Sequence, residues 1–169
     1  TIDNSILSDV LTAYGYSQEQ CTVTPLGNGH INSTYLVRHQ QDSFVLQKIN
    51  QHVFKRPGIV VKNAQLISEY LAKQQASGNY PLTGVQQISN IAGQMLTEVA
   101  GGHWRMMNYI ADSYTLESVE SSEDALHTAS AFAQFSAALS SFPTEHLTEV
   151  IPKFHDIQYR MQQLNDAVA

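Results

Sequence analysis

The chain has 169 residues, enough for one ordinary domain or two small lobes with a real core, and its 43% hydrophobic and 14% charged content is that of a soluble globular protein. Nine Lys plus Arg against fifteen Asp plus Glu leave a net charge of -6, which argues against a general nucleic-acid surface, so any phosphate must be held locally. The single cysteine, Cys21, excludes an intrachain disulfide and disfavours a cysteine-based metal site. No secretory leader is visible, and no stretch reaches the roughly 18 apolar residues of a membrane span, a pattern expected of a cytoplasmic protein with no nucleic-acid or membrane partner.

In chain order, Ile6, Leu7, Val10, Leu11 and Tyr14 fall at helical spacing, predicting an amphipathic helix over 4–14 with Asn4 or Ser5 as its N-cap and Gly15 as its stop. A short strand is predicted at 21–26. The segment Leu26-Gly27-Asn28-Gly29-His30-Ile31-Asn32-Ser33-Thr34-Tyr35 then carries two glycines one residue apart and opens into a second strand at 34–39. A polar turn at 40–42 leads to a third strand, 44–49. Pro57 suits the first turn of a helix, and Val60, Ala64, Ile67 and Leu71 form one apolar stripe through about 57–75. Ser77-Gly78-Asn79 and Pro81 stop that helix. Residues 84–91 and 94–99 read as strands around a turn at 90–93, and Trp104 to Ile110 as a further strand.

Beyond Asp112 only helices are predicted. One spans 122–142, with Ala125, Ala129, Phe132, Phe135 and Leu139 on an apolar face, and one spans 154–168. Strands followed by helices imply an α+β chain, with a sheet-bearing part at 1–110 and a helical part at 111–169. A start at Thr1 rather than Met, and an end at Ala169 inside a helical pattern, lead us to expect a fragment.

A G-x-G between two strands can drape backbone N–H groups over phosphates, or it can be a plain hairpin turn. A Walker A loop would need Lys after its last glycine, where His30 stands, and a dinucleotide loop would open a helix, whereas this one opens a strand. The arrangement that remains is a glycine loop between antiparallel strands, a third strand ending in V-x-x-K, a helix, and a last strand before helices.

Gly27 to Tyr35, the run Phe44-Val45-Leu46-Gln47-Lys48-Ile49-Asn50, and Val53-Phe54-Lys55 resemble the N-terminal lobe of aminoglycoside-phosphotransferase-like small-molecule kinases. Within that superfamily the chain is most similar to the N-acetylhexosamine 1-kinase, or mucin-desulfation-related, branch, which Trp104 to Glu117 and Phe154-His155-Asp156 also fit. The resemblance implies a protein-kinase-like N-terminal lobe, an antiparallel sheet of about five strands plus helices, followed by the first helices of a helical C-terminal lobe. It implies ATP and Mg²⁺ as cofactors, and a sugar or amino sugar as acceptor in the full-length parent.

Carried over by residue, Gly27-Asn28-Gly29-His30 would form the loop over the phosphates, with His30 at a solvent-exposed tip. Asn32 stands where a third glycine would, either bonding a phosphate oxygen or making an Asx-type turn. Lys48 is the favoured partner of the α and β phosphates, with Gln47, on the other face of the strand, as the alternative. Glu69, the lone acid of the 57–75 helix, points away from the stripe, so the usual lysine–glutamate pair is absent or replaced; Asn63 is better aimed at the sheet. Met107, Asn108 and Ile110 resemble a hinge, with Asn108 C=O and Ile110 N–H offered to adenine, although an ordinary core strand would read the same way.

The family's H-G-D-x-x-x-x-N loop and later metal-binding aspartate have no counterpart here, and His155-Asp156 reads as a helix start. No catalytic or metal-binding residue is therefore assigned. The chain alone is expected to be inactive, as the nucleotide-binding portion of an alcohol-acceptor phosphotransferase. The alternatives are a non-catalytic kinase-like module that binds a nucleotide or protein, and a truncated product without a role. Apolar surface on the incomplete helical part is expected to be exposed, and a homodimer could cover it.

Overall fold

The first helix, α1 (Asn4–Ala13), starts where expected, but its N-cap is Asp3 rather than Asn4 or Ser5, because the Asp3 carboxylate accepts the Ser5 N–H at 2.8 Å. Gly15, at φ 83°, ends it as expected. In the computed structural model, which describes residues 2–27, 29–113 and 118–168, α1 lies on one face of an antiparallel sheet. Asn28 of the glycine loop and residues 114–117 lie outside the described residues.

The sheet has six strands: β1 (Cys21–Pro25), β2 (Ser33–His39), β3 (Asp42–Ile49), β4 (Gln87–Ile88), β5 (Thr97–Val99) and β6 (Gly102–Asn108). Their order is β1-β2-β3-β6-β4, with β5 also paired to β6, and every pairing is antiparallel. β4 and β5 are much shorter than the runs 84–91 and 94–99. Between them Asn90 closes the expected turn, its side-chain oxygen accepting the N–H groups of Ala92 and Gln94 at 3.0 and 2.9 Å.

Strand alternation divides the sheet into two faces. On the α1 face, Val37, Leu46, Trp104 and Met106 pack with Leu7, Val10, Leu11 and Tyr14 into the main core. On the opposite face lies α2 (Pro57–Ala76), located there by Gln87 on β4, whose amide donates to Val61 O at 2.7 Å. The α2 stripe does pack, but at Ile67 and Leu71 it meets Tyr80, Leu82, Ala138 and Leu139 rather than the strands.

α3 (Ser122–Ala138) stops short of 142 and α4 (Ile157–Val168) starts late, after Asp156 caps it by accepting Tyr159 N–H at 3.0 Å. The expected apolar face of α3 is largely in solvent, with Phe132 69% exposed, and no residue of α4 is buried. Among the described residues, no helix is long and apolar enough to cross a membrane.

Candidate functional site

The glycine loop, 26–32, joins β1 to β2 and is closed at its base by Leu26 N–H donating to Thr34 O at 2.9 Å. Gly27 sits at φ 73°, a conformation that favours glycine, whereas at Gly29 an added Cβ would meet nothing nearer than Asn32 O at 3.9 Å. His30 is exposed at the tip, as expected. A cavity of about 460 Å³ lies against the loop, bounded by Gly27, Gly29 and Asn32 and by Ile2 and Leu7 beside and on α1.

The Asn32 side-chain oxygen does not close an Asx-type turn within the loop. It accepts the backbone N–H of Asn50 at 2.9 Å, pinning the loop to the residue after β3. Asn50 in turn accepts His52 N–H at 2.9 Å, so the end of β3 is a fixed turn against which the loop is held.

The third strand presents Lys48 and Gln47 on opposite faces, as its alternation predicts. Lys48 projects from the α1 face, exposed, with its Nζ 5.5 Å from the centroid of the Trp104 ring. Gln47 occupies the face shared with α2. Its Nε2 donates to Thr34 Oγ1 at 2.9 Å, and its Oε1 accepts both Nε–H and Nη2–H of Arg105 at 3.0 and 2.8 Å. Arg105 was not among the residues picked out from the sequence. The signal was there in the alternation of β6, where Trp104 and Met106 mark one face and Arg105 and Met107 therefore share the other. The guanidinium is half-buried, and burial pushes its pKa down.

The register places these residues in two consecutive rows across the strands. Thr34, Gln47 and Arg105 lie opposite one another in a polar row; Leu36, Val45 and Met107 form an apolar row two residues along, about 7 Å away. The glycine loop adjoins the polar row, and the chain leaves the sheet past the apolar one. Gln47 and Met107, both expected at the site, are thus brought together on one face, with Thr34 and Arg105 added.

Asn63 is not brought there. Its amide donates to Thr148 O at 2.7 Å and accepts Thr148 N–H at 3.1 Å, so both ends serve to hold the 147–149 backbone to α2. The helix spacing aimed it at the sheet, but the neighbour it finds is a distant chain segment that α2 geometry alone could not reveal. Glu69 is exposed and accepts from Gln65 at 2.8 Å, a solvated charge as expected. Glu69 and Lys48 are therefore not paired, whereas Gln47 and Arg105 are hydrogen-bonded to each other.

Asn108 ends β6 with its N–H donated to Gln86 O at 3.0 Å and its side-chain oxygen accepting Gln86 N–H at 2.7 Å. Ile110, two residues on, is half-exposed, and its carbonyl accepts from Ser113 Oγ at 2.7 Å.

No protein-family model matches the chain. Among solved structures, it is similar to the microcompartment-associated aminopropanol kinase over 78% of its own length, at 18% identity and a TM-score of 0.57. The fold is kinase-like. The kinase domain of M. tuberculosis PknI matches over 77% of the chain at 18% identity and a TM-score of 0.38. The chain spans 39% of the aminopropanol kinase and 51% of the PknI domain.

The face just described carries a cation and a hydroxyl near a glycine loop, with apolar side chains beside them, the kinds of group by which a phosphate and a base would be held. Mg²⁺ does not fit. Among the described residues no group of three His, Cys, Asp or Glu side chains is placed to hold a metal ion. Asp156, the nearest candidate in the sequence, is occupied as the cap of α4.

Proposed function

We propose that this chain is the nucleotide-binding portion of an ATP-dependent small-molecule phosphotransferase with an alcohol hydroxyl as acceptor. The observation that carries this reading is the pairing of rows on one sheet face, Thr34–Gln47–Arg105 beside the glycine loop and Leu36–Val45–Met107 beside the chain exit. The base would lie on the apolar row with its edge at Asn108 and Ile110, and the phosphates would extend under Gly27 and Gly29. Likeness to a kinase for aminopropanol, itself an amino alcohol, supports the acceptor class. The resemblance of 27–35 and 44–55 to N-acetylhexosamine kinases narrows it to a sugar or amino sugar.

In phosphoryl transfer the protein positions the nucleotide and stabilises charge on the moving group, while an aspartate orients the acceptor and carboxylates hold Mg²⁺. The described residues fit the first task. The aspartate and metal carboxylates are assigned to residues outside this chain, and no step of the proposal runs through them here.

Titration calorimetry of the chain with Mg-ATP, ADP and adenosine tests the reading. Saturable binding of all three, tightening with phosphate number, is expected. Absence of any binding at millimolar nucleotide would refute it. Phosphorylation of an amino-sugar and amino-alcohol panel by the full-length parent then identifies the acceptor.

A further inference from the structure

The kinase arrangement takes its phosphate-binding cation from the third strand, and here that position on the α2 face is Gln47, a neutral amide. We propose that Arg105, on β6, supplies the missing cation and receives the nucleotide's phosphates, with Gln47 as the residue that positions it. The inference rests on the nucleotide reading above and adds which group holds the charge.

The hydrogen-bond chain has a definite sense. Arg105 donates twice to Gln47 Oε1, and Gln47 Nε2 donates to Thr34 Oγ1 at 2.9 Å, so the amide is locked and cannot turn over without losing three bonds. A guanidinium has five N–H groups, and Gln47 takes two of Arg105's, leaving the others for a ligand. The Thr34 hydroxyl, accepting from Gln47, keeps its own proton to donate. Free donors therefore lie at both ends of one row, adjoining the loop at 26–32.

Charge balance points the same way. Among the described residues the one acid–base contact within 4.0 Å is His103 with Glu98, 3.7 Å apart, and none of their carboxylates lies that close to Arg105. Glu69, the acid of α2, is exposed and held by Gln65. A half-buried cation without a counter-ion is unfavourable, and an arriving phosphate removes that cost. Arg also presents a planar fork suited to phosphate oxygens. A purely structural tie between β3 and β6 would not need a charged group in this row.

The test compares the wild-type chain with Arg105→Met and Arg105→Lys, using Mg-ATP, inorganic tripolyphosphate and adenosine. Arg105→Met is expected to weaken Mg-ATP binding by about 10- to 100-fold, the size of one or two charge-assisted hydrogen bonds, and to abolish stabilisation by tripolyphosphate. Adenosine binding is expected to persist, and Arg105→Lys to recover part of the loss. In the wild type, the Arg105 Nε–H resonance should move on adding tripolyphosphate but not adenosine, a readout that survives even if a variant fails to fold. Equal losses for Mg-ATP and adenosine in Arg105→Met, unchanged Mg-ATP binding, or a motionless Nε–H resonance would overturn the assignment while leaving the nucleotide reading intact. Failure of the wild type to bind either nucleotide or nucleoside would remove both.

Discussion

Asn32 Oδ1 accepts the backbone N–H of Asn50 at 2.9 Å, so the glycine loop is fastened to the end of β3 across the width of a strand pair. Asn32→Ala removes the acceptor and should lower stability by about 1 kcal/mol, the net worth of an ordinary hydrogen bond. Asn32→Asp keeps an acceptor in place and should restore the wild-type denaturation midpoint. Amide exchange at Asn50 reads the bond directly: faster in Asn32→Ala, unchanged in Asn32→Asp.

The two loop glycines should separate under substitution. Gly27 has a positive φ, so Gly27→Ala is expected to cost about 1–2 kcal/mol of folding stability whatever the space around it. Gly29→Ala meets only Asn32 O at 3.9 Å and should leave the melting temperature unchanged. If its backbone approaches a phosphate, the same substitution weakens Mg-ATP binding. Thermal denaturation and calorimetry on both variants give the comparison.

Asn63 clamps the 147–149 backbone to α2 through two hydrogen bonds. Asn63→Ala should therefore release that segment, at a cost of about 1–2 kcal/mol. Limited proteolysis near residues 147–156 should accelerate, with no change in adenosine affinity. A loss of nucleotide binding without faster cleavage would return Asn63 to the cleft.

The succession of strands and helices along the chain, the α1 and α2 helices and the glycine turn were legible because they depend on local signals: period-two and helical spacing, Pro57 at a helix start, Gly15 and Gly78 at helix ends. The site was less legible because side-chain partners are set by register. V-x-x-K spacing singles out Lys48, yet the facing of β3 is fixed by which residues α1 buries, and Leu46, two positions before Lys48, belongs to that core. Arg105 could be found only by assigning faces to β6 and β3 together. The turn at 90–93 was legible and Asn90 closes it, but the lengths of β4 and β5 on either side were overestimated. The apolar face of α3 and the start of α4 likewise depended on contacts and a cap beyond the spacing itself.

Acid should loosen α1 first. Hydrogen bonds from Ser5 hold the Asp3 carboxyl below its usual range, so it stabilises the helix above the unfolded pKa of about 3.9 and loses that contribution as pH falls through the lower folded value. Far-UV circular dichroism and amide exchange in residues 4–8 should show fraying in that window. Asp3→Asn retains a capping oxygen and should remove the acid-dependent step while leaving neutral-pH helicity near wild type.

Lys48 and Gln47 are neighbours on one strand with opposite facings, which makes their substitutions a decisive pair. Lys48 is exposed and rests over Trp104, so Lys48→Met should cost no more than about 0.5–1 kcal/mol and leave Mg-ATP affinity unchanged. Gln47→Leu strips Arg105 of its acceptor and leaves two N–H groups of a half-buried guanidinium unpaired, with an expected loss of about 2–3 kcal/mol. It should also weaken Mg-ATP binding, since the cation is no longer held in the row. The reverse pattern, with Lys48→Met abolishing nucleotide binding and Gln47→Leu sparing it, would mean that the V-x-x-K lysine reaches the phosphates after all. That outcome would require β3 to turn over relative to the core formed by Leu46 and Val37, a register change that would expose both side chains now fully buried against α1.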